Sequence, residues 1–236
     1  MDKNYFLSSP QFMIGMSFTY FSVIKGLQMH MKNRNAYSLK SIMQFYNIIQ
    51  VLLNIYMLYG LYDLQFLAEK PNLLALNVPY SDKIAYFINI HYLSKYFDYL
   101  DTVFMILRNK NNQVSFLHVY HHTTVCFVWG YLVNIDHNNG TAAFVALLNS
   151  LVHVIMYSHY YITSLGYQNP FKKMITQIQL TQFILFMMHS SSVLIWENIY
   201  PRHLAFIELT YNFIMIILFG NFYMRNYNRR IATQKE

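Results

Sequence analysis

Residues 141–164 read TAAFVALLNSLVHVIMYSHYYITS, a run without any Asp, Glu, Lys or Arg. A helix that crosses the hydrocarbon core of a bilayer needs about 20 predominantly apolar residues. Asn149, His153 and Tyr157 nevertheless recur four residues apart along this run, and residues at that spacing share one face of a helix. The stretch therefore predicts a membrane-spanning helix with one polar face.

Six further segments have the length and apolar character of membrane spans. Of the 236 residues, 55% are hydrophobic and 11% are charged, whereas an ordinary soluble domain carries about 25% charged residues. We therefore predict an all-α, polytopic membrane protein that forms a single integral-membrane domain over residues 1–236. No proline falls inside a predicted span, so the helices are expected to be unbroken. The seven spans are residues 11–29, 41–62, 84–107, 116–134, 141–164, 174–196 and 204–224.

Basic residues are distributed unequally between the two sets of loops. Of the 17 Lys and Arg residues, 11 lie in loops 30–40, 108–114 and 165–173 or in the tail after residue 224, and four lie in the opposite loops. Because Lys and Arg concentrate on the cytoplasmic side of membrane proteins, the tail 225–236 is predicted to be cytosolic and the short N-terminus to lie across the membrane. This basic collar is a topology signal that also contacts anionic lipid, and part of it is a candidate site for a phosphorylated substrate.

The third predicted span contains ionisable residues. Lys95, Asp98 and Thr102 fall on one side of a helix, and Asp101 lies on the neighbouring flank. Ionisable groups inside membrane spans are costly and by default mark a functional site. A structural ion pair that sets helix packing is the alternative. In either case we expect Lys95 to pair with Asp98 or Asp101, because an unpaired buried charge costs several kcal/mol.

The fourth predicted span opens with three histidines, His118, His121 and His122, whose spacing places their side chains on one helix face. Two kinds of chemistry fit them: metal ligation, or acid–base and nucleophilic catalysis. Gln179 and Gln182 share a face of the sixth span. At 1.5 Å per residue from the predicted cytosolic helix ends, all these polar groups fall in the cytosolic half of the membrane. The sequence thus predicts one site that opens to the cytosol.

Five stretches of the sequence resemble, in their order and spacing, the motifs of the ELO family of very-long-chain fatty acid elongases. Asp98 stands where the family usually has glutamate. Tyr120, with Gln113 ahead of it, is similar to the polyunsaturated-type branch of that family. The stretches that carry the resemblance are Met31–Arg34, Ser94–Arg108, Gln113–His122, Asn149–Tyr157 and Thr176–Phe183.

The resemblance implies a 3-oxoacyl-CoA synthase, an acyltransferase of the endoplasmic reticulum membrane. Such an enzyme condenses a long-chain fatty acyl-CoA with malonyl-CoA, releases CO2 and CoA, and forms a 3-oxoacyl-CoA two carbons longer. The implied fold is a seven-helix bundle whose last six helices enclose a tunnel for the acyl chain. No bound cofactor and no metal is implied. The implied partners are the two CoA substrates, membrane lipid, the reductase and dehydratase of the elongation cycle and a second copy of the chain, without nucleic acid.

The site residues expected on this basis fall into two groups. His121 is predicted to attack the thioester, His153 to share the acyl transfer or orient the malonyl group, and His118 and His122 to handle protons. Cys126 lies one turn deeper on an apolar helix, where the reactive thiolate is scarce, and is expected to be a core residue. The candidate catalytic residues are Lys95, Asp98, Asp101, His118, His121, His122 and His153. The candidate substrate-binding residues are Asn149, Tyr157, Gln179, Gln182, Lys172, Lys173 and Arg225.

Two other classes of protein share part of the pattern. A membrane di-iron desaturase or hydroxylase also carries a His-x-x-His-His box, but it needs further histidine boxes that this sequence lacks. A non-enzymatic seven-helix receptor has the same orientation and helix number, but its ligand site is expected at the outer face.

Overall fold

The computed structural model describes residues 5–66, 72–137, 140–167 and 170–228. These residues form eight α-helices and no strand, and α3 and α4 are separated by one residue. The predicted all-α class is confirmed. Of the predicted tail 225–236, residues 229–236 lie outside the described residues. The helices are α1 Pro10–Met31, α2 Lys40–Phe66, α3 Asp82–Phe97, α4 Tyr99–Leu107, α5 Phe116–Asn134, α6 Gly140–Ser164, α7 Lys172–Trp196 and α8 Arg202–Tyr223.

Serine caps fix the start of two helices in the described part of the chain. The Ser9 Oγ accepts a hydrogen bond from the Phe12 N–H at 3.2 Å, and Pro10 occupies the first turn of α1. The Ser115 Oγ accepts from the His118 N–H at 3.2 Å. Caps of this kind satisfy backbone donors that have no partner within the helix. The Ser115 cap thereby sets the register of α5 and the positions of its histidines.

Four helices are long and apolar enough to cross a membrane, judged by length and composition within the described residues. They are Lys40–Tyr62, Gly140–Ser164, Lys172–Trp196 and Arg202–Tyr227. They fit a multi-pass membrane protein. That α1, α5 and the α3–α4 segment also cross the membrane stays a prediction. The acyl-chain tunnel likewise stays a prediction.

The prediction of one unbroken helix over residues 84–107 is wrong. The segment forms α3 and α4, which meet at Asp98. Asp98 keeps right-handed helical torsion angles, with φ −63° and ψ −16°. However, the Asp101 N–H bonds to the Asp98 carbonyl at 3.2 Å, three residues back instead of four. A turn tightened in this way interrupts an α-helix.

The chain divides into two compact units. The first unit comprises Met1–Met43 and Tyr80–Asn139, and the second comprises Gln44–Pro79 and Gly140–Glu236. In the first unit α1 packs against α4 and α5, and α3 packs against α5. In the second unit α7 packs against α6 and α8. The single domain expected from the sequence stays a prediction.

A buried carboxylate organises one end of the second unit. Glu197 follows α7, is 4% exposed, and accepts hydrogen bonds at its Oε2 from the Asn77 N–H at 2.6 Å and the Thr141 hydroxyl at 2.9 Å. Its Oε1 accepts from the Ile199 N–H at 2.8 Å and the Tyr200 N–H at 3.3 Å. Burial by itself would raise the pKa of the Glu197 carboxyl, but these four donors outweigh it and hold the pKa below its usual range.

Candidate functional site

An ion pair lies at the junction of α3 and α4 in the first unit. The Lys95 Nζ is 3.8 Å from the Asp98 Oδ2, and the two residues are 2% and 3% exposed. The predicted pairing of Lys95 with Asp98 is confirmed. Asp101, in the first turn of α4, is partly buried and interacts electrostatically with Tyr20.

The three histidines of α5 form one cluster. The ring centroids of His118 and His122 are 4.3 Å apart, and those of His121 and His122 are 5.6 Å apart. Lys95 and His118 both lie near enough to His121 to interact with it electrostatically. The histidine cluster and the buried ion pair are therefore parts of one polar region inside the first unit.

Two hydroxyl groups connect α1 and α4 to this region. The Thr102 Oγ1 lies 2.7 Å from the His118 Nε2, and the Tyr20 hydroxyl lies 2.7 Å from the Thr102 Oγ1. The Tyr20 ring also stacks on Tyr99 at 4.0 Å. The sequence reasoning did not single out Tyr20. Tyr20 is one of several polar residues in this part of α1, with Ser17, Thr19 and Ser22, so no local pattern distinguished it.

Cys126 is a buried core residue of α5, as predicted. Its Sγ lies 3.3 Å from the His122 carbonyl oxygen, one helical turn back, and accordingly donates a hydrogen bond along its own helix. It also lies within electrostatic range of Lys95 and Asp98.

The second unit contains the predicted polar face of α6. Tyr157 is fully buried, and its hydroxyl accepts a hydrogen bond from the Gln50 Nε2 at 3.2 Å. The Gln50 Nε2 also donates to the Tyr46 hydroxyl at 2.8 Å. The His153 ring lies 5.7 Å from the Tyr157 ring, edge to face. Asn149, one turn before His153, is partly buried. The sequence reasoning missed Gln50, although an amide inside an apolar helix was a usable signal.

The two glutamines of α7 have different surroundings. The Gln179 Nε2 lies 3.5 Å from the sulfur of Met156 on α6. Gln182 is buried, and its Oε1 has no hydrogen-bond partner among the described residues. A buried amide oxygen without a partner is costly, so Gln182 is suited to receive a donor from a bound molecule.

The basic residues predicted to bind substrate lie at one end of the α7–α8 pair. Lys172 and Lys173 are exposed in the first turn of α7, and Arg225 is exposed in the π-helical turn Met224–Asn228 that follows α8. The Lys173 Nζ lies 5.7 Å from the centre of the Tyr223 ring. The Tyr227 hydroxyl donates to the Lys172 carbonyl at 3.3 Å. These contacts bring the three cationic side chains to the same end of the second unit.

The structure thus gathers the predicted residues into two groups. Convergence of the two groups on one site stays a prediction. Within residues 5–66, 72–137, 140–167 and 170–228, no three His, Cys, Asp or Glu side chains are close enough to hold a metal ion. The first unit holds Lys95, Asp98, Asp101, His118, His121 and His122, and the second holds Asn149, His153, Tyr157, Lys172, Lys173, Gln179, Gln182 and Arg225.

Comparison with known proteins places the chain in a class of membrane enzymes. The sequence model of ELO, the GNS1/SUR4 family, matches residues 5–235. The chain is 41% identical to fatty acid elongase 5 of Leishmania major over 224 residues, which cover 95% of this chain and 88% of that relative. It is 36% identical to very long chain fatty acid elongase 5 of Mus musculus over 217 residues, covering 88% of this chain and 71% of that relative.

The chain belongs to the ELO family. It is an enzyme of fatty acid elongation, and so of fatty acid biosynthesis and lipid metabolism. A third relative, fatty acid elongase 5 of Trypanosoma cruzi, is 39% identical over 214 residues, covering 91% of this chain and 83% of the relative. These matches do not favour the di-iron desaturase or the seven-helix receptor.

Proposed function

We propose that this chain is a 3-oxoacyl-CoA synthase that condenses a long-chain fatty acyl-CoA with malonyl-CoA. The observation that carries the proposal is the cluster of His118, His121 and His122, which adjoins the buried Lys95–Asp98 ion pair in a chain of the ELO family. Imidazoles serve both as nucleophiles and as acid–base groups in acyl transfer. The relatives named very long chain elongases support a long acyl chain as the substrate.

The first chemical step is acyl transfer to His121. An imidazole nitrogen of His121 attacks the thioester carbonyl of acyl-CoA, and the carbon–sulfur bond breaks. CoA leaves as a thiolate and takes up a proton, while the attacking imidazole loses its N–H proton to a neighbouring base. The clustered imidazoles His118 and His122 are the proposed proton-handling groups.

The second step forms the new carbon–carbon bond. Malonyl-CoA loses CO2 when its carboxyl carbon–carbon bond breaks, which leaves the enolate of acetyl-CoA. The enolate carbon attacks the acyl carbonyl on His121 and the carbon–nitrogen bond breaks. The released imidazole takes back the proton from the neighbouring base, and 3-oxoacyl-CoA is released. His153 is the proposed second imidazole of the reaction, in acyl transfer or in orienting the malonyl group.

Charged and amide side chains have supporting roles in this scheme. Lys95, held by Asp98, is proposed to set the electrostatic environment of His121, and Asp101 is proposed to support the same region. Lys172, Lys173 and Arg225, at one end of α7 and α8, are proposed to bind the phosphates of CoA through charge-assisted hydrogen bonds. Asn149, Tyr157, Gln179 and Gln182 are proposed to contact the substrates.

The cellular setting follows from the same proposal. The enzyme uses acyl-CoA and malonyl-CoA as substrates and needs no bound cofactor or metal. It is proposed to reside in the endoplasmic reticulum membrane with its C-terminus in the cytosol, in a bundle whose last six helices enclose the acyl chain. Its product requires a reductase and a dehydratase to complete the cycle, and these enzymes and a second copy of the chain are the proposed partners.

A condensation assay on the purified full chain in lipid nanodiscs tests the function. Labelled malonyl-CoA together with an acyl-CoA should give a labelled 3-oxoacyl-CoA, and His121→Ala and His153→Ala should each abolish the product. His203→Ala, at an exposed histidine of α8, is the matched control and should leave the product unchanged. Failure of the wild-type chain to form 3-oxoacyl-CoA from any long-chain acyl-CoA would disprove the proposal.

A further inference from the structure

Three hydrogen-bonded side chains, Tyr20, Thr102 and His118, form a relay from α1 into the histidine cluster. The Tyr20 hydroxyl lies 2.7 Å from the Thr102 Oγ1, which lies 2.7 Å from the His118 Nε2. Tyr20 is 3% exposed and Thr102 is fully buried. Because the three residues belong to α1, α4 and α5, the relay is a tertiary feature that local sequence does not dictate.

The number of available protons determines which group donates in each hydrogen bond of this relay. Each hydroxyl has one proton to donate. Among the described residues, Thr102 is the one hydrogen-bond partner of the Tyr20 hydroxyl. If Thr102 donated to Tyr20, the Tyr20 proton would have no acceptor in the described part of the chain, which is unfavourable for a buried group. Tyr20 therefore donates to Thr102, and Thr102 keeps its own proton for His118.

We propose that Tyr20 is a positioning residue that, through Thr102, holds His118 in the tautomer protonated at Nδ1. The Thr102 hydroxyl donates to Nε2, so this nitrogen is an acceptor, and the proton of the neutral ring resides on Nδ1. The hydrogen bond made by one ring nitrogen sets the protonation of the other. His118 consequently offers an N–H donor, and not a basic lone pair, to groups that approach its Nδ1.

The consequence for catalysis rests on the proposed condensation, whereas the tautomer itself does not. In the condensation, a donor at Nδ1 suits stabilisation of negative charge on a reacting oxygen or carboxylate. Abstraction of the His121 proton then falls to the neighbouring His122, whose ring lies 5.6 Å from that of His121. The relay thus divides the work between two adjacent imidazoles.

The hydroxyl of Tyr20 must be tested separately from its ring. The ring stacks on Tyr99 at 4.0 Å, so Tyr20→Ala would remove packing together with the hydrogen bond. Tyr20→Phe keeps the stacked ring and removes only the donor. Tyr92→Phe is the matched control, because it removes a buried hydroxyl of the same unit that bonds to the Leu7 carbonyl at 2.6 Å and to Tyr96.

Nitrogen NMR of the full chain, labelled with 15N-histidine and held in nanodiscs, reads the tautomer directly. The His118 signal is identified as the one that His118→Ala removes. The wild-type chain and Tyr92→Phe should show Nδ1–H for this ring, whereas Tyr20→Phe should show a new Nε2–H population. Thr102→Val should likewise show a new Nε2–H population. Nε2–H in the wild-type chain, or an unchanged tautomer in Tyr20→Phe, would overturn the inference.

The kinetic readout distinguishes this inference from the proposed function. Tyr20→Phe should lower kcat for condensation roughly tenfold, with KM unchanged, because it removes an interaction that orients a reacting group and not one that binds substrate. If the Nδ1–H signal is present but no condensation occurs, the proposed function fails and the inference stands. If condensation proceeds and Tyr20→Phe has wild-type kcat, the catalytic consequence fails.

Discussion

The ammonium of Lys95 lies 3.8 Å from the carboxylate of Asp98, and both side chains are almost completely buried at the point where α3 gives way to α4. The two residues are three positions apart, a spacing at which side chains meet on a helix surface. Each member of the pair therefore compensates the buried charge of the other, and Lys95 places a cation near the histidine cluster.

Loss of one partner of this pair should destabilise the folded protein more than loss of both partners. Lys95→Met leaves the Asp98 carboxylate buried without its cation, which costs about 3–5 kcal/mol. We expect a lower apparent unfolding temperature in nanodiscs, reduced expression and no condensation activity. Lys95→Met combined with Asp98→Leu should recover the unfolding temperature but not the activity.

A conservative exchange provides the control for this experiment. Asp98→Glu introduces the residue that the ELO family usually carries at this position, and it should retain both the unfolding temperature and the activity. Wild-type turnover in Lys95→Met would show that the cation has no part in the reaction.

The length of the product should respond to bulk inside the α7–α8 pair. Ser190 on α7 is fully buried and Ser191 is exposed. Each hydroxyl donates to the carbonyl one turn back on α7, and the Ser190 hydroxyl also contacts the Glu208 carboxyl of α8. If the acyl chain extends along the buried face of α7, Ser190→Leu should shorten the longest product, whereas Ser191→Leu should not. Fatty-acid profiles of cells without endogenous elongases measure the difference. Identical profiles for the two variants would exclude Ser190 from the acyl path.

The Glu197 carboxylate should make the stability of the protein sensitive to acid. Its pKa is lowered in the folded chain, so its stabilising contribution is complete above the ordinary glutamate pKa of about 4.3 and is lost as the pH falls through the lowered value. Glu197→Gln should cost about 1–3 kcal/mol at neutral pH and remove this part of the pH dependence.

Unfolding temperatures of the wild-type chain and Glu197→Gln, recorded from pH 7 down to pH 3, check this expectation. Asp82→Asn is the control, because Asp82 is exposed and its carboxylate accepts from the Tyr80 hydroxyl. Equal acid sensitivity in the wild-type chain and Glu197→Gln would show that the carboxylate is not the titrating group.

Much of the fold could be predicted from local patterns. The predicted span 116–134 coincides with α5, and the predicted spans 141–164 and 174–196 lie within one or two residues of α6 and α7. Apolar length, together with proline and serine at the boundaries, determines these helices. The interruption at Asp98 was not predictable, because no proline or glycine marks it and it depends on a tightened backbone turn.

The site was predictable where residues are neighbours along one helix. The spacing of His118, His121 and His122 gave their cluster, and the spacing of Lys95 and Asp98 gave the ion pair. Tyr20 is 82 positions from Thr102, so only the packing of α1 against α4 reveals their contact. Three donors to Glu197 are the backbone N–H groups of Asn77, Ile199 and Tyr200, and backbone groups carry no signal in the side-chain sequence.

The decisive measurement is the release of free CoA from acyl-CoA in the absence of malonyl-CoA. A covalent acyl-enzyme predicts a burst of about one CoA per enzyme molecule. Cys126→Ala should retain the burst, because the buried thiol is not the nucleophile, and His121→Ala should lose it. Mass spectrometry of the wild-type protein should then find the acyl group on His121. CoA release only after malonyl-CoA is added, or an acyl group on Cys126, would contradict acyl transfer to His121.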